Sequence, residues 1–183
     1  MLIKIGQRPD HGFDEPIGLL SDCHRRIEHF LRVLVVLDGQ AGGGPMTPAQ
    51  REQLEGALAY FATAAPRHTA DEEDSLFPRL RLSDDPAARS ALEVIARLEA
   101  DHARADHHHR EVDTLGRRWL ADGQLPPADA RELRERLAAL QDLYARHIAV
   151  EDSQLFPAAD RLLSADQVRD IGREMAARRR GGP

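Results

Sequence analysis

The segment Arg67–Pro78 reads RHTADEEDSLFP, and Arg146–Pro157 repeats it 79 residues later as RHIAVEDSQLFP. In both copies a histidine precedes a glutamate by four residues, and Leu-Phe-Pro closes the segment. Residues four apart share one face of a helix, with Cβ atoms about 6 Å apart, so an imidazole and a carboxylate can reach the same metal ion. The repeat therefore predicts two helices that each present a His-x-x-x-Glu pair.

A single histidine precedes each copy at almost the same distance. His24 stands 44 residues before His68, and His102 stands 45 residues before His147. The chain thus consists of two similar halves, each with one lone histidine and one His-x-x-x-Glu pair. At 183 residues the chain fits one domain built from a duplication, because each half alone has too little apolar content to form a stable core.

The composition favours helix over sheet. Aromatic residues make up only 4% of the chain, and the good helix formers Ala, Leu, Arg and Glu dominate, while β-branched runs are scarce. We therefore expect an all-α protein.

Prolines and glycines mark the expected helix ends. The first helix is predicted from Pro16 to about Asp38, the second from Pro48 to about Leu80, the third from the cap at 83–86 to about Ala121, the fourth from 126–127 to Leu163, and a short fifth from Ser164 to about Ala177. Pro66 is expected to kink or break the second helix just before His68, and Pro157 to bend or break the fourth near its end.

Four long helices with short connections predict an up-down-up-down four-helix bundle. We expect residues 1–14 to form an N-terminal segment, residues 15–163 the bundle, and residues 164–183 the short fifth helix and a tail.

Charge and cysteine content narrow the functional classes. The formal net charge of −6 shows no basic excess that would draw the chain to nucleic acid or to an anionic membrane. The one basic cluster, Arg178–Arg180, is predicted to be a solvated tail. No apolar run reaches the length of a signal peptide or a membrane span, so we expect a soluble cytoplasmic protein. Cys23, the single cysteine, allows no internal disulfide or thiolate cluster and is expected to fill core space.

The apolar stripes of the helices point the repeated residues inward. Leucines and other apolar residues recur three and four positions apart on each long helix, and a histidine lies in the middle of every stripe. When the two copies are aligned, Asp71 meets Val150, and Glu72 meets Glu151 on the inward face. A buried ionised carboxylate costs several kcal/mol unless a cation or hydrogen bonds compensate it. Two such carboxylates among four histidines therefore indicate a multivalent cation.

Several neighbouring polar residues have more than one possible role. Glu73 and Asp152 either orient a ligand or lie on the helix surface. Glu28 and Asp106, four residues after the lone histidines, either bind the metal or orient the histidine that does.

Two further residues stay open in the same way. Tyr144 either hydrogen-bonds a bound ligand or is a core residue with a local partner. His109 fits a polar layer or an access route. His108 is expected to face solvent, and His29 and His107 lie about 140° around the helix from the lone histidines, which takes them away from the metal.

The ligand types point to iron, with manganese next and zinc behind it, because nitrogen and oxygen donors shared between helices suit these metals and no thiolate is available. Six protein ligands are too many for one functional ion. Two ions make a better count, each with two histidines and both bridged by Glu72 and Glu151. The candidate metal ligands are His24, His68, Glu72, His102, His147 and Glu151.

These residues, with Leu-Phe-Pro after each pair, resemble the hemerythrin-like proteins of the HHE cation-binding family over roughly residues 15–163. The resemblance implies a four-helix bundle around a non-haem di-iron centre that uses these six ligands. Members of the family bind dioxygen or nitric oxide, sense iron or oxygen, or help to repair damaged iron centres.

Two departures from the family pattern bear on function. Oxygen-carrying hemerythrins have a fifth histidine where this chain has Asp106, and a site with four histidines leaves the irons more open, which favours reaction over reversible storage. Repair-type relatives carry an additional cysteine-containing N-terminal domain, and nothing like it precedes His24 in this sequence.

The sequence thus predicts a hemerythrin-like di-iron protein that binds or reacts with dioxygen or nitric oxide in sensing or stress defence, with a possible redox partner. The alternatives are a di-iron oxidase or peroxidase, and an iron-sensing or iron-centre repair module. Whether the chain is an enzyme stays open at this point.

Overall fold

Helices account for nearly all of residues 11–85 and 88–180, the part of the chain that the computed structural model describes, apart from the side chains at 89 and 90. The α-helices are α1 (Pro16–Ala41), α2 (Pro48–Asp71), α3 (Phe77–Arg81), α4 (Ala88–Asp122), α5 (Pro127–Val150), α6 (Phe156–Leu162) and α7 (Ala165–Arg180). No strand occurs among these residues, which confirms the predicted all-α class. Within the same residues, no helix is both long and apolar enough to cross a membrane.

The four long helices pack as a bundle in which α1 contacts α2 and α5, and α4 contacts the same two helices. The predicted second helix corresponds to α2 and α3, the third to α4, the fourth to α5 and α6, and the fifth to α7. Most of the predicted N-terminal segment, and position 86 of the predicted third-helix cap, lie outside the described residues.

Local sequence signals explain where these helices begin and end. The Thr47 hydroxyl accepts from the Gln50 backbone N–H while the Gln50 side chain accepts from the Thr47 N–H, which is a capping box. α1 continues through Gly39 and stops only where Gly42 takes a left-handed φ of 55°. Its end lies three residues beyond the predicted one.

The buried apolar residues form two clusters, and the inward histidines lie between them. On α1, Leu20 belongs to one cluster and Ile27 to the other, with His24 between. The polar layer at the level of His24 therefore has packed apolar side chains on both sides, which keeps water from reaching it along the bundle axis.

The expected break at Pro66 does not occur, because α2 runs without interruption from Pro48 to Asp71. The irregularity falls at the first residue after Asp71, where Glu72–Leu76 forms a π-helical turn. A matching π-helical turn, Glu151–Leu155, follows α5. In each turn the Phe backbone N–H donates to the carbonyl of the glutamate five residues earlier.

The Leu-Phe-Pro triplets account for these two π-helical turns. Pro78 and Pro157 have no N–H to donate, and each proline ring crowds the carbonyl four residues before it, so the preceding turn widens by one residue. Pro157 therefore widens the turn before it and does not end the helix, since α6 follows directly. Both glutamates of the repeat lie at the first position of a widened turn.

The prediction that Arg178–Arg180 is a solvated tail was wrong for two of the three arginines. Arg178 and Arg179 donate to the two carboxylate oxygens of Asp71, at 3.0 and 2.6 Å. Asp71 is fully buried, so the pair of arginines supplies the positive charge that a buried carboxylate requires. Only Arg180 is exposed.

Apolar and polar contacts together hold α7 against the bundle. Ile171 and Met175 are fully buried in the apolar cluster that contains Leu20. Gly172 lies so close to the chain at Phe13 that a Cβ atom there would collide with the Phe13 carbonyl. The C-terminal helix is therefore packed against the bundle and is not a separate appendage.

We predict that the double variant Arg178→Ala, Arg179→Ala lowers the free energy of unfolding by roughly 3–5 kcal/mol, because it leaves the Asp71 carboxylate buried without a partner. Urea unfolding followed by circular dichroism measures this loss. Arg180→Ala is the matched control and should leave the midpoint unchanged. Equal stability of the two variants would contradict the docking of α7 through Asp71.

A second prediction concerns pH, since the Arg79 guanidinium, which bonds Glu174 at 2.7 Å, lowers the pKa of that carboxyl. A lowered pKa means that the contact stabilises the fold above the ordinary glutamate pKa of about 4.3 and that this contribution disappears as the pH falls through the folded-state pKa. Glu174→Gln should therefore be less stable than the wild type at neutral pH, and the difference should vanish on acidification. Unfolding curves at a series of pH values test this; a difference that persists in acid would contradict it.

Candidate metal centre

The structure brings all six candidate ligands together in the middle of the bundle. One ligand atom each from His24, His68, Glu72 and Glu151 lie within 4.8 Å of one another. A second group with the same spacing consists of Glu72, His102, His147 and Glu151. The two glutamates belong to both groups, and each group takes both histidines from one half of the chain. The arrangement can hold two cations that share two carboxylates.

Hydrogen bonding does not account for the short contacts that the two carboxylates make within the cluster. His24 Nε2 lies 2.9 Å from Glu151 Oε2, and His147 Nε2 lies 3.2 Å from the same oxygen. Glu72 has imidazole nitrogens 3.3 and 3.4 Å from its two oxygens. Yet all four carboxylate oxygens of the two buried glutamates, and His24 Nε2, are without an aligned hydrogen-bond partner in the described residues. Lone pairs that converge in this way fit a shared cation, so the residues suit a metal centre.

The electrostatics of the two carboxylates are those of a closely spaced buried pair. Burial and the negative charge of Glu151 raise the pKa of Glu72 to about 7. Burial alone would raise the pKa of Glu151 as well, but its contacts with His147 and His24 lower it below the usual range. Positive charge in the surroundings is therefore needed to keep both carboxylates ionised.

The negative charges of the surrounding carboxylates also shift the pKa values of two imidazoles. Burial opposes protonation of His24, but its contacts with Asp152 and Glu151 raise its pKa to about 10. Burial likewise opposes protonation of His102, and its glutamate neighbours raise its pKa to about 9. Without a metal ion, protons on these two rings provide the charge that the carboxylates require. Metal ions must displace those protons, because only the neutral ring can bind a metal.

Each lone histidine is held by the acidic residue that follows the glutamate of the opposite half. Asp152 accepts from His24 Nδ1 at 3.0 Å, and Glu73 accepts from His102 Nδ1 at 2.8 Å. Each bond fixes which ring nitrogen is free to face the cluster. Of the two roles left open for Glu73 and Asp152, the structure supports orientation of a histidine, although both side chains reach their partners from the protein surface.

The phenylalanines of the repeated phrase hold the same two rings. Phe156 stacks on His24 with ring centroids 5.3 Å apart and an interplanar angle of 13°. Phe77 lies parallel to His102, at 6.2 Å and 3°. These contacts were not predicted from the sequence, although the repeat contains their signal: the acid and the phenylalanine follow the glutamate at matching positions in both copies.

The histidines of the His-x-x-x-Glu pairs are less firmly held. His68 Nδ1 is buried without a hydrogen-bond partner in the described residues, and burial lowers the pKa of His68 well below its usual value. His147 Nδ1 lies 3.7 Å from Asp101, too far for a hydrogen bond. The strongest orienting contacts thus belong to the lone histidines.

Other polar residues that the sequence left open lie outside the cluster. Glu28 is exposed, and Asp106 is an exposed partner of Arg110 at 2.6 Å, so neither carboxylate joins either ligand group. His29 packs against a neighbouring phenylalanine, and His107 is exposed.

Three single predictions have clear outcomes. Cys23 is buried as predicted, and burial raises the pKa of its thiol. His108 is only partly accessible and lies 3.9 Å from Glu111, so it does not simply face solvent. Tyr144 has a local partner, His109 Nε2, 2.9 Å from its hydroxyl oxygen.

A four-helix bundle with a buried cluster of histidines and glutamates defines a class of metal-binding helical proteins. The sequence matches the family described as "Hemerythrin HHE cation binding domain" over residues 15–159, which is most of the chain. The protein therefore belongs to the hemerythrin HHE cation-binding family. A protein of Haemophilus influenzae, described only as "Uncharacterized protein", is 33% identical over 169 residues, which cover 91% of each chain.

We predict that Glu73→Ala and Asp152→Ala each weaken metal binding by about 10- to 100-fold, because each removes the carboxylate that orients a lone histidine. Competition with a coloured chelator measures the affinity. Asp74→Ala changes an exposed acid of the same π-helical turn and should retain the wild-type affinity. Glu73→Gln, which keeps an acceptor, should recover part of the loss. Equal affinities for Glu73→Ala and Asp74→Ala would contradict an orienting role.

Proposed function

We propose that this protein is a non-haem di-iron protein that binds or reacts with dioxygen or nitric oxide in sensing or stress defence. In this proposal His24 and His68 bind one iron, His102 and His147 bind the other, and Glu72 and Glu151 bridge the two. The observation that carries the proposal is the pair of ligand groups that share both glutamates.

The donor set supports iron ahead of manganese or zinc. Imidazole and carboxylate ligands shared between helices suit iron and then manganese, and neither ligand group has the thiolate that is typical of structural zinc sites. Two histidines and two shared carboxylates would give each ion four protein donors and would leave positions for an exogenous ligand. A pair of irons would supply the redox chemistry with which a bound gas reacts.

The protein's own contribution is to hold the ligands in place and to exclude water. Glu72 and Glu151 keep the two ion positions adjacent. The hydrogen bonds of His24 to Asp152 and of His102 to Glu73 fix two of the four rings. The apolar clusters on both sides of the layer limit the access of water from the ends of the bundle. Such enclosure favours controlled reaction with a small gas molecule.

One observation favours a sensing module as the second candidate. Arg178 and Arg179 of α7 bind Asp71, which directly precedes the proposed bridging ligand Glu72. A shift of Glu72 on metal or gas binding would therefore act on the docking of α7, and an altered α7 would be the signal to a partner. A di-iron oxidase or peroxidase differs from both candidates in showing sustained turnover with a reductant.

The proposal includes a cytoplasmic location and a redox partner that returns the irons to the ferrous state. A reducing compartment would also keep ferrous iron available for the site.

The proposal predicts that anaerobic ferrous protein changes its absorption spectrum when dioxygen or nitric oxide is added, because each gas binds at an open iron position. Metal analysis should find two irons per chain, and the oxidised protein should show the near-ultraviolet bands of an oxygen-bridged ferric pair. An iron-loaded protein that is spectrally silent towards both gases would refute the proposed function.

Ligand variants provide the control. His68→Ala and Glu151→Ala should each reduce the iron content, whereas His107→Ala, on the exposed face of α4, should not. Unchanged iron in the first two variants would point to a purely structural bundle.

A further inference from the structure

The cavity beside the metal centre is joined to a second cavity that opens between α2 and α4. The inner cavity, of about 170 Å³, is lined by the four candidate histidine ligands together with Phe61, Tyr144 and His109. The outer cavity, of about 390 Å³, is lined by residues of α2 and α4. Phe61, Pro66, Asp106 and His109 line both cavities, so the two spaces adjoin.

The internal duplication provides a built-in comparison for this opening. The alignment that places Glu72 on Glu151 also places Ala62 on Gln141, and the one that places His102 on His24 places Asp106 on Glu28. The corresponding groove between α1 and α5 is lined by Glu28 and Gln141 among others, but its volume is only about 150 Å³. Of the two equivalent sides of the bundle, the side between α2 and α4 has the larger cavity.

Two substitutions between the halves account for the difference. His109, which lies on the wall common to both cavities, corresponds to Leu31 in the other half, and Leu31 is buried in the core. Tyr144 corresponds to Ala65, so that on the α1–α5 side a buried phenol ring lies between the groove and the centre. Leu31 and the Tyr144 ring therefore close the α1–α5 side, whereas the polar ring of His109 lies at the inner end of the α2–α4 side.

His109 is held in place at this inner end. Its ring stacks on Phe61 with centroids 4.2 Å apart, and the Tyr144 hydroxyl lies 2.9 Å from its Nε2 atom. Burial keeps the ring neutral by lowering the pKa of His109 to about 4. With Tyr144 donating to Nε2, the Nδ1 atom carries the proton, and that atom has no partner in the described residues.

We propose that the passage between α2 and α4 is the route by which a small uncharged ligand reaches the metal centre, and that His109 is the residue that limits entry at its inner end. The proposal rests on the proposed function, which requires such a ligand. Phe61, Leu58 and Val112 make much of the wall apolar. The charged residues of the outer cavity are paired, Asp106 with Arg110 and Asp113 with Arg117. Such a wall suits diatomic gases better than ions.

Nitric oxide is the probe, and its association rate with iron-loaded ferrous protein is measured by stopped-flow absorption. Ala62→Phe places a large ring in the outer cavity and should slow association by about tenfold or more, within the range that single changes produce. Gln141→Phe, at the equivalent exposed position of the other half, is the matched control and should leave the rate unchanged. His109→Ala should increase the rate several-fold.

The outcomes separate the passage from the proposed function. If the wild type shows no spectral change with either nitric oxide or dioxygen, the proposed function fails and the passage fails with it; if it responds to dioxygen alone, dioxygen replaces nitric oxide as the probe. If the wild type responds and both phenylalanine variants match its rate, or Gln141→Phe is slowed as much as Ala62→Phe, the passage alone is refuted. An unchanged rate in His109→Ala would remove His109 from the gating role. Iron content and circular dichroism verify that each variant is folded and loaded, and Ala62→Val replaces Ala62→Phe if the larger residue prevents folding.

Discussion

The burial of two carboxylates, Glu72 and Glu151, at the centre of the bundle is the constraint on which the rest of the structure depends. Both side chains are fully buried, and an unpaired charge there would cost several kcal/mol, which is a large fraction of the net stability of a typical domain. Every salt bridge of these two groups in the described residues is with an imidazole. The four histidines can hold positive charge against this pair. The widened turns begin at the two glutamates, and the two flanking apolar clusters keep water away from their layer.

The contacts between the halves show how the duplication works physically. Each half provides both histidines of one ligand group, but the side chains that hold its lone histidine come from the other half: Asp152 and Phe156 hold His24, while Glu73 and Phe77 hold His102. Neither half could build an ordered ligand group alone. The crossed arrangement therefore links the geometry of the centre to the packing of the complete bundle.

Much of this arrangement could be predicted from the sequence because the repeat provides an internal alignment. The alignment selected Glu72 over its acidic neighbours, and the stripes of apolar residues assigned all four histidines to the interior. The π-helical turns could not be predicted in the same way, because a proline within a helix can end it, bend it or widen a turn, and packing decides among these. The pairing of Arg178 and Arg179 with Asp71 was missed because three consecutive arginines near a chain end look the same whether they face solvent or a buried acid.

The places where the two halves differ are informative because the cluster itself is nearly symmetric. Asp71, whose carboxylate binds Arg178 and Arg179 of α7, corresponds to Val150, whose side chain has no hydrogen-bond acceptor. These polar contacts therefore join the C-terminal helix to the first half, where Arg178 also donates to Ser75 of the widened turn. His109 and Tyr144 introduce a second asymmetry on the wall of the inner cavity. A symmetric pair of ligand groups thus lies in asymmetric surroundings, so two ions bound there would differ in enclosure and in access even with identical ligands. Differences in the surroundings of a metal alter its potential and its reactivity as effectively as a change of ligand, and the asymmetry gives the protein a physical basis for assigning different roles to the two positions.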